Sequence, residues 1–339
     1  MINNAPVIAS PNFGLQTLLA PMAPPLKGLT GPEPSEIEPS EIDPSGLEPS
    51  AIGLPSLGLH SPEPQVNPGS KSPGAANPAK KEPTANRPDL RPTILVLRPN
   101  SGISGDMLVT GLARLANLTQ DDLDDLLVKL NLESLKGRVR LVQKSHNSIQ
   151  GSKLELDLPP EHEHRHLAQV RQFFGAAKLT PKALDLVLKA FTLLAEAEGA
   201  VHGIDPEEVH FHEVGALDSL IDMGLAAMIY DILDPDRFVC GPLPLCDGVI
   251  NAAHGLMPSP APAVAYLLKG VLVKGLESQG ETVTPTAISL LKALGAEFGS
   301  WPEMTLEREA LVYGGRILPG APNGALFAWG RTHCGVELN

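Results

Sequence analysis

Residues 93–115 read TILVLRPNSGISGDMLVTGLARL. TILVL is an unbroken apolar run, and such a run predicts a strand buried on both faces. Gly102 and Gly105 then permit a tight turn, and Met107, Leu108, Leu112 and Leu115 fall at helical spacing. A helix therefore begins near Asp106. An acidic side chain there either caps free amide groups or serves a site, because a glycine-lined strand-to-helix turn also holds anions and metal-bound phosphates. On the second reading Asp106 is a candidate catalytic residue, and Ser101, Gly102 and Gly105 are candidate ligand-binding residues.

Working outward, RVRLVQKSHNSIQGSKLELDL at 138–158 alternates in two places, as a pair of strands around a polar turn would. LAQVRQFFGAAK and TPKALDLVLKAFTLLAEAEGAVHG read as helices, the second opened by Thr180 and Pro181 and closed by His202 and Gly203. A short extended HFH step leads into a long apolar helix over ALDSLIDMGLAAMIYDIL. Strand-like RFVCGPLPL and GVINAAHG follow, then a helix at PAPAVAYLLKG, a strand at VLVKG, a helix at TPTAISLLKAL and a final pair around MTLEREALVYGG and GALFAWG. Strands and helices alternate irregularly, and neighbouring strands often lack a crossover helix. The expected class is α+β, with mixed sheet and packed helices, rather than a doubly wound fold.

Upstream the texture is different. Of the 34 prolines in 339 residues, nineteen lie in residues 1–92, where Phe13 is the sole aromatic. Within that stretch EPSEI, EPSEI, DPSGL and EPSAI place Pro34, Pro39, Pro44 and Pro49 in a five-residue register that cannot sustain helix or sheet hydrogen bonding. A solenoid is the competing reading of a repeat, but one aliphatic per pentad buries too little. Residues 1–92 are expected to be a disordered Pro/Ser-rich extension, with a folded domain over 93–330 and a short tail over 331–339.

The net charge of -13 argues against a nucleic-acid partner and allows cationic ligands, metals included. No run approaches the roughly 18 apolar residues that span a bilayer, and MINNAPVIASPNFG lacks the basic start of a secretory signal. A cytoplasmic protein without membrane contact is expected. Cys240, Cys246 and Cys334 are odd in number and lack CxxC spacing, so neither a disulfide framework nor a zinc ribbon is indicated.

The ten histidines are not spread evenly. EHEHRHL at 161–167 holds His162, His164 and His166, and HFHE at 210–213 holds His210 and His212 before Glu213. On an extended backbone alternate side chains share a face; on a helix only His162 and His166 would align. Neutral imidazole suits Ni, Zn, Cu and Fe, and nearby carboxylates can complete the shell or orient the rings. The bland alternatives are a solvated polar loop for the first tract and a satisfied strand-end histidine for the second. Asp218 and Asp222, four apart on the following helix, are either further ligands or residues that cap and solvate the helix start. His202 and His254 each precede a glycine at an element end, and His254 is a weaker metal candidate.

SGISGDM, EHEHRHL, AEAEGAVHG, EEVHFHEVGALDSLIDM, PLPL, AHGLMPSPAPA, ETVTPT and the closing YGGR occur in one order between residue 93 and about 330. In that order they resemble the LarC family of nickel insertion proteins. The resemblance implies delivery of Ni(II) to a pyridinium mononucleotide bearing two thiocarboxylates, giving the nickel-pincer cofactor taken up by lactate racemase-type apoenzymes in a CTP-dependent reaction. It implies a nickel-insertion (cyclometallase, lyase class) activity, with nickel held by His162, His164, His166, His210, His212 and Glu213. An imidazole-rich site can hold Ni(II) and still surrender it to stronger sulfur and carbon donors.

The chain departs from the family pattern in four places. Glu161 and Glu163 stand where the family usually has histidines, Arg98-Pro99-Asn100 where it has Asp-Pro-Phe, and Cys246 where a glycine is usual. Cys246 either adds a soft ligand or fills space. The family's full-length proteins continue into a CTP-binding domain, whereas this sequence stops nine residues after Gly330. A separate CTP-binding partner chain is therefore expected. The other function classes are a nickel storage or chaperone module without chemistry, and a zinc-dependent hydrolase built on HFHE.

Overall fold

The computed structural model describes residues 90–159, 165–211, 215–252 and 254–333. The opening stretch folds as its pattern demands, β1 (Thr93–Pro99) running through a turn into α1 (Gly105–Leu115). Next comes a helix that periodicity did not pick out, α2 (Gln120–Lys129). Four aspartates in QDDLDDLLVK obscure its short apolar stripe of Leu123, Leu126 and Leu127. Its start is nonetheless well made: Thr119 Oγ1 accepts from the Asp122 N–H at 3.2 Å, and Asp122 accepts from the Thr119 N–H at 2.8 Å.

The predicted hairpin is β2 (Val139–His146) and β3 (Ile149–Leu156). Asn147 and Ser148 join them with φ of 49° and 63°, the paired left-handed residues that a two-residue hairpin turn requires. After β4 (Arg165–His166) and α3 (Leu167–Ala176) comes α4 (Pro181–His202). Thr180 caps it and Gly203, at φ 69°, ends it, as the sequence indicates. Then follow β5 (His210–Phe211), α5 (Leu217–Leu233), β6 (Arg237–Cys240), β7 (Leu243–Asp247), β8 (Val249–Ala252) and β9 (Gly255–Pro258). The chain closes with α6 (Pro262–Leu267), β10 (Val273–Gln279), α7 (Pro285–Ala293), β11 (Glu297–Phe298), β12 (Met304–Val312) and β13 (Ala325–Thr332).

Seven strands form one mixed sheet in the order β11-β6-β1-β13-β12-β3-β2. β1 runs parallel to β6 and antiparallel to β13, so the apolar run TILVL occupies a central position with a partner on either side. Its alternate residues serve two faces. Leu95 and Leu97 join the main core with the helices, while Ile94 and Val96 meet Val239 and Ala328 in a small separate cluster. Nearly all helical packing thus lies on one side of the sheet, and the class is α+β. α5 is buried continuously from Ser219 to Tyr230 and contacts α1, α4 and α7, as a helix that is apolar all round must. β13 runs through Thr332, whose N–H donates to Pro92 O at 3.0 Å, so Arg331 and Thr332 belong to the sheet rather than to a tail. The proposed N-terminal extension, residues 1–89 of it, and residues 334–339 with Cys334 lie outside the described residues. Among the described residues no helix is long and apolar enough to cross a membrane.

Candidate functional site

The turn between β1 and α1 is zipped to a distant segment. Ile103 N–H donates to Thr282 O at 2.8 Å, and Thr284 N–H donates to Ile103 O at 3.2 Å. The approach is so close that a Cβ on Gly102, which has φ of 146°, would stand 2.2 Å from Thr282 O. The Thr282 hydroxyl in turn donates to Pro244 O at 2.7 Å. SGISGDM, ETVTPT and PLPL are therefore one structural unit. A cavity of about 520 Å³ opens at the N-terminus of α1, lined by Ser104, Asp106, Asp218, Asp222, Thr284 and Thr286, with Arg140 and Lys153 of the hairpin and Gly315 of YGGR. A neighbouring cavity of about 330 Å³ shares Ser104, Asp106, Thr284 and Gly315 and adds Ser101, Gly102 and Arg316. Both volumes fall in the range of roughly 300–1,000 Å³ that accommodates small ligands.

The three carboxylates differ in what they do at the helix starts. Ser104 occupies the N-cap position of α1, and Asp106, in the first turn, accepts a hydrogen bond from the Ser104 hydroxyl. This corrects the capping reading of Asp106. Asp218, in the first turn of α5, accepts from the Ser219 N–H at 2.7 Å. Asp222, one turn further, is only 8% exposed, so it does not solvate the helix start as the alternative reading held. Its Oδ2 lies against Gly105, where a Cβ would stand 2.6 Å away, and its Oδ1 has no hydrogen-bond partner. Burial pushes the Asp222 carboxyl well above the ordinary carboxylate range, and the charges of Asp106 and Asp218 push the same way.

The two histidine tracts meet. β4 and β5 pair antiparallel with Arg165 opposite Phe211 and His166 opposite His210. The His166 and His210 rings lie 3.6 Å apart between centroids, tilted by 50°. Two features hold them there: Phe211 is buried against Phe191, with ring centroids 5.9 Å apart, and Arg165 Nη1 donates to Gly215 O at 2.7 Å. His166 is extended, at the start of α3. His162, His164, His212 and Glu213 lie outside the described residues.

His254 does not join this pair. It stands beside His202, with ring centroids 4.9 Å apart, and Glu198 Oε2 lies 3.5 Å from His202 Nε2. Sequence reasoning noticed that each precedes a glycine at an element end, but nothing local brings α4 to the β8–β9 turn. Cys246 is buried in β7, its thiol pushed up by burial. Cys240 in β6 is pushed up to about 12 for the same reason. Among the described residues, no three His, Cys, Asp or Glu side chains close on one point as a ready metal cage.

Comparisons with known proteins agree with the motif order. A protein of Syntrophotalea carbinolica named for nickel insertion is 37% identical over 231 residues, covering 68% of this chain and 58% of its own length. The pyridinium-3,5-bisthiocarboxylic acid mononucleotide nickel insertion protein of Desulfitobacterium hafniense is 36% identical over 211 residues, 61% of this chain and 51% of its own length. Its namesake in Staphylococcus epidermidis is 34% identical over 213 residues, 63% of this chain and 53% of its own length. The chain thus spans little more than half the length of the curated relatives it matches. No solved structure matches it. The family described as nickel insertion protein matches residues 95–332, from within β1 to the end of β13, and the chain belongs to that family.

Proposed function

We propose that this protein holds Ni(II) and delivers it to a thiolated pyridinium mononucleotide, the substrate named for its Desulfitobacterium and Staphylococcus relatives. The observation that carries the reading is the meeting of the two histidine tracts, whose His166 and His210 rings are 3.6 Å apart. At that spacing one ion can take a nitrogen from each ring, because nitrogen-to-metal distances are about 2 Å. In sequence His162 and His164 precede this point and His212 and Glu213 follow it, and we assign them as the remaining donors. Nickel is cargo here, and a site of imidazoles with few enforced angles can release it to thiocarboxylates.

The mononucleotide belongs in the cavities at the N-terminus of α1. Arg140, Lys153 and Arg316 line them and suit its phosphate and thiocarboxylates, while Ser101, Gly102 and Gly105 allow close backbone approach. The product passes to a nickel-pincer apoenzyme. Calorimetry with Ni(II) tests the metal half: His166→Ala and His210→Ala should each lower affinity at least about tenfold, ~1.4 kcal/mol. Unchanged affinity in both would overturn it. Mixing the chain with Ni(II), CTP and the thiolated mononucleotide tests the rest. Pincer absorbance that needs a CTP-binding partner supports a nickel-inserting component; no absorbance with any partner leaves a storage module.

A further inference from the structure

We propose a second cation site, chemically unlike the imidazole pair: Asp222 and Asp106 hold a hard divalent cation of the Mg²⁺ class at the N-terminus of α1, with Asp218 on the lining of the same cavity. That the bound mononucleotide's phosphate completes this ion's shell rests on the preceding reading; the carboxylate site itself does not.

Three observations converge on it. The first is Asp222, a residue of the cavity lining whose Oδ1 is buried without a hydrogen-bond partner while its Oδ2 lies against Gly105. A buried carboxylate oxygen without a donor is strongly disfavoured unless something positive meets it. The second is that Asp106 and Asp218 line the same space, Asp106 accepting from the Ser104 hydroxyl and Asp218 from the Ser219 N–H, each on Oδ1. The charges of Asp106 and Asp218 add to the cost of charging the buried Asp222, and a divalent ion offsets that cost.

The third is donor type. The cavity offers carboxylates and the hydroxyls of Thr284 and Thr286, 2.9 Å apart, and no imidazole or thiol. All-oxygen surroundings suit Mg²⁺ or Mn²⁺ rather than nickel. Mg²⁺ also keeps several waters and binds through one or two carboxylates plus substrate phosphate, so a pair of carboxylates beside an open cavity is enough to hold it. Arg140 and Lys153 on the same cavity leave room for that phosphate beside the ion.

Mn²⁺ serves as the probe, titrated into the chelator-treated full chain with electron paramagnetic resonance reading free metal, alone and with inorganic phosphate. One equivalent should bind in at least one condition, and Asp106→Asn and Asp222→Asn, which preserve side-chain shape, should each weaken it tenfold or more. Circular dichroism confirms that both variants are folded. Absence of binding in both conditions, or unchanged affinity in both folded variants, overturns the site. His166→Ala should leave Mn²⁺ affinity unaltered, and a loss of affinity in that variant would likewise overturn a site separate from the imidazole pair. Because the nickel reading is tested by nickel affinity and this one by Mn²⁺ affinity, the two fail separately.

Discussion

Where β1 begins, Thr93 and Asp236 exchange hydrogen bonds: Asp236 Oδ2 accepts from the Thr93 N–H at 2.7 Å and from its hydroxyl at 2.9 Å, and Asp236 N–H donates back at 3.1 Å. The two Thr93 bonds, backbone first, hold the Asp236 carboxyl below its ordinary value of 3.8. A depressed folded-state value means the stabilisation is present above the unfolded value and disappears as pH falls through the folded one. Asp236→Ala should therefore cost about 0.5 kcal/mol near neutral pH, small because the group is exposed, and almost nothing near pH 2. Urea unfolding of both chains at the two pH values checks this. The same scale shows what could be read locally at the site. His166, His210 and Asp222 stood out in the sequence as candidate ligands, but neither the 3.6 Å ring approach nor the orphaned Asp222 oxygen has a local signature.

Elements were legible wherever burial imposes a period. The alternation of β2 and β3, the Thr180-Pro181 start of α4 and the Gly203 stop all appear as the patterns indicate. The two-residue strands β4 and β5 were not legible as a pair, because a strand that short exists only through its partner. Contact between elements sets a further limit at Gly111, in the middle of α1. Alanine there would gain about 1 kcal/mol of helix propensity. Its Cβ, however, would stand 2.3 Å from the fully buried Phe327 ring of β13. Overpacking of this kind costs about 1–3 kcal/mol, and Phe327 has nowhere to go, so the clash wins. Gly111→Ala should lower the denaturation midpoint with an unchanged m-value; a raised midpoint would show that α1 can lift from the sheet.

For the whole molecule, the main consequence is that β13, the last strand, lies at the sheet's middle between β1 and β12. Removing residues 325–339 would leave both neighbours with bare edges and take Ala325, Phe327 and Trp329 out of the core. Such a chain should lose cooperative thermal unfolding and aggregate, because two long unpaired edges invite intermolecular pairing. Retention of a sharp transition, read by circular dichroism and light scattering, would show that β1 and β12 can close on each other. The same long-range closure builds the site: β1–α1, α5 and α7 present Asp106, Asp222 and Thr284 to one cavity only when the sheet and its helical layer are complete.

The sequence by itself determined which segments are strands and helices along most of the folded region, the α+β class, and the nickel-insertion family through an ordered set of motifs. Only the tertiary structure decided that SGISGDM sits on ETVTPT, that EHEHRHL meets HFHE at His166 and His210, and that His202 belongs with His254. The physical reason is range. Periodicity records that a face is buried, through apolar side chains a few residues apart, but not which distant face covers it. Functional geometry here lies almost wholly in those distant contacts.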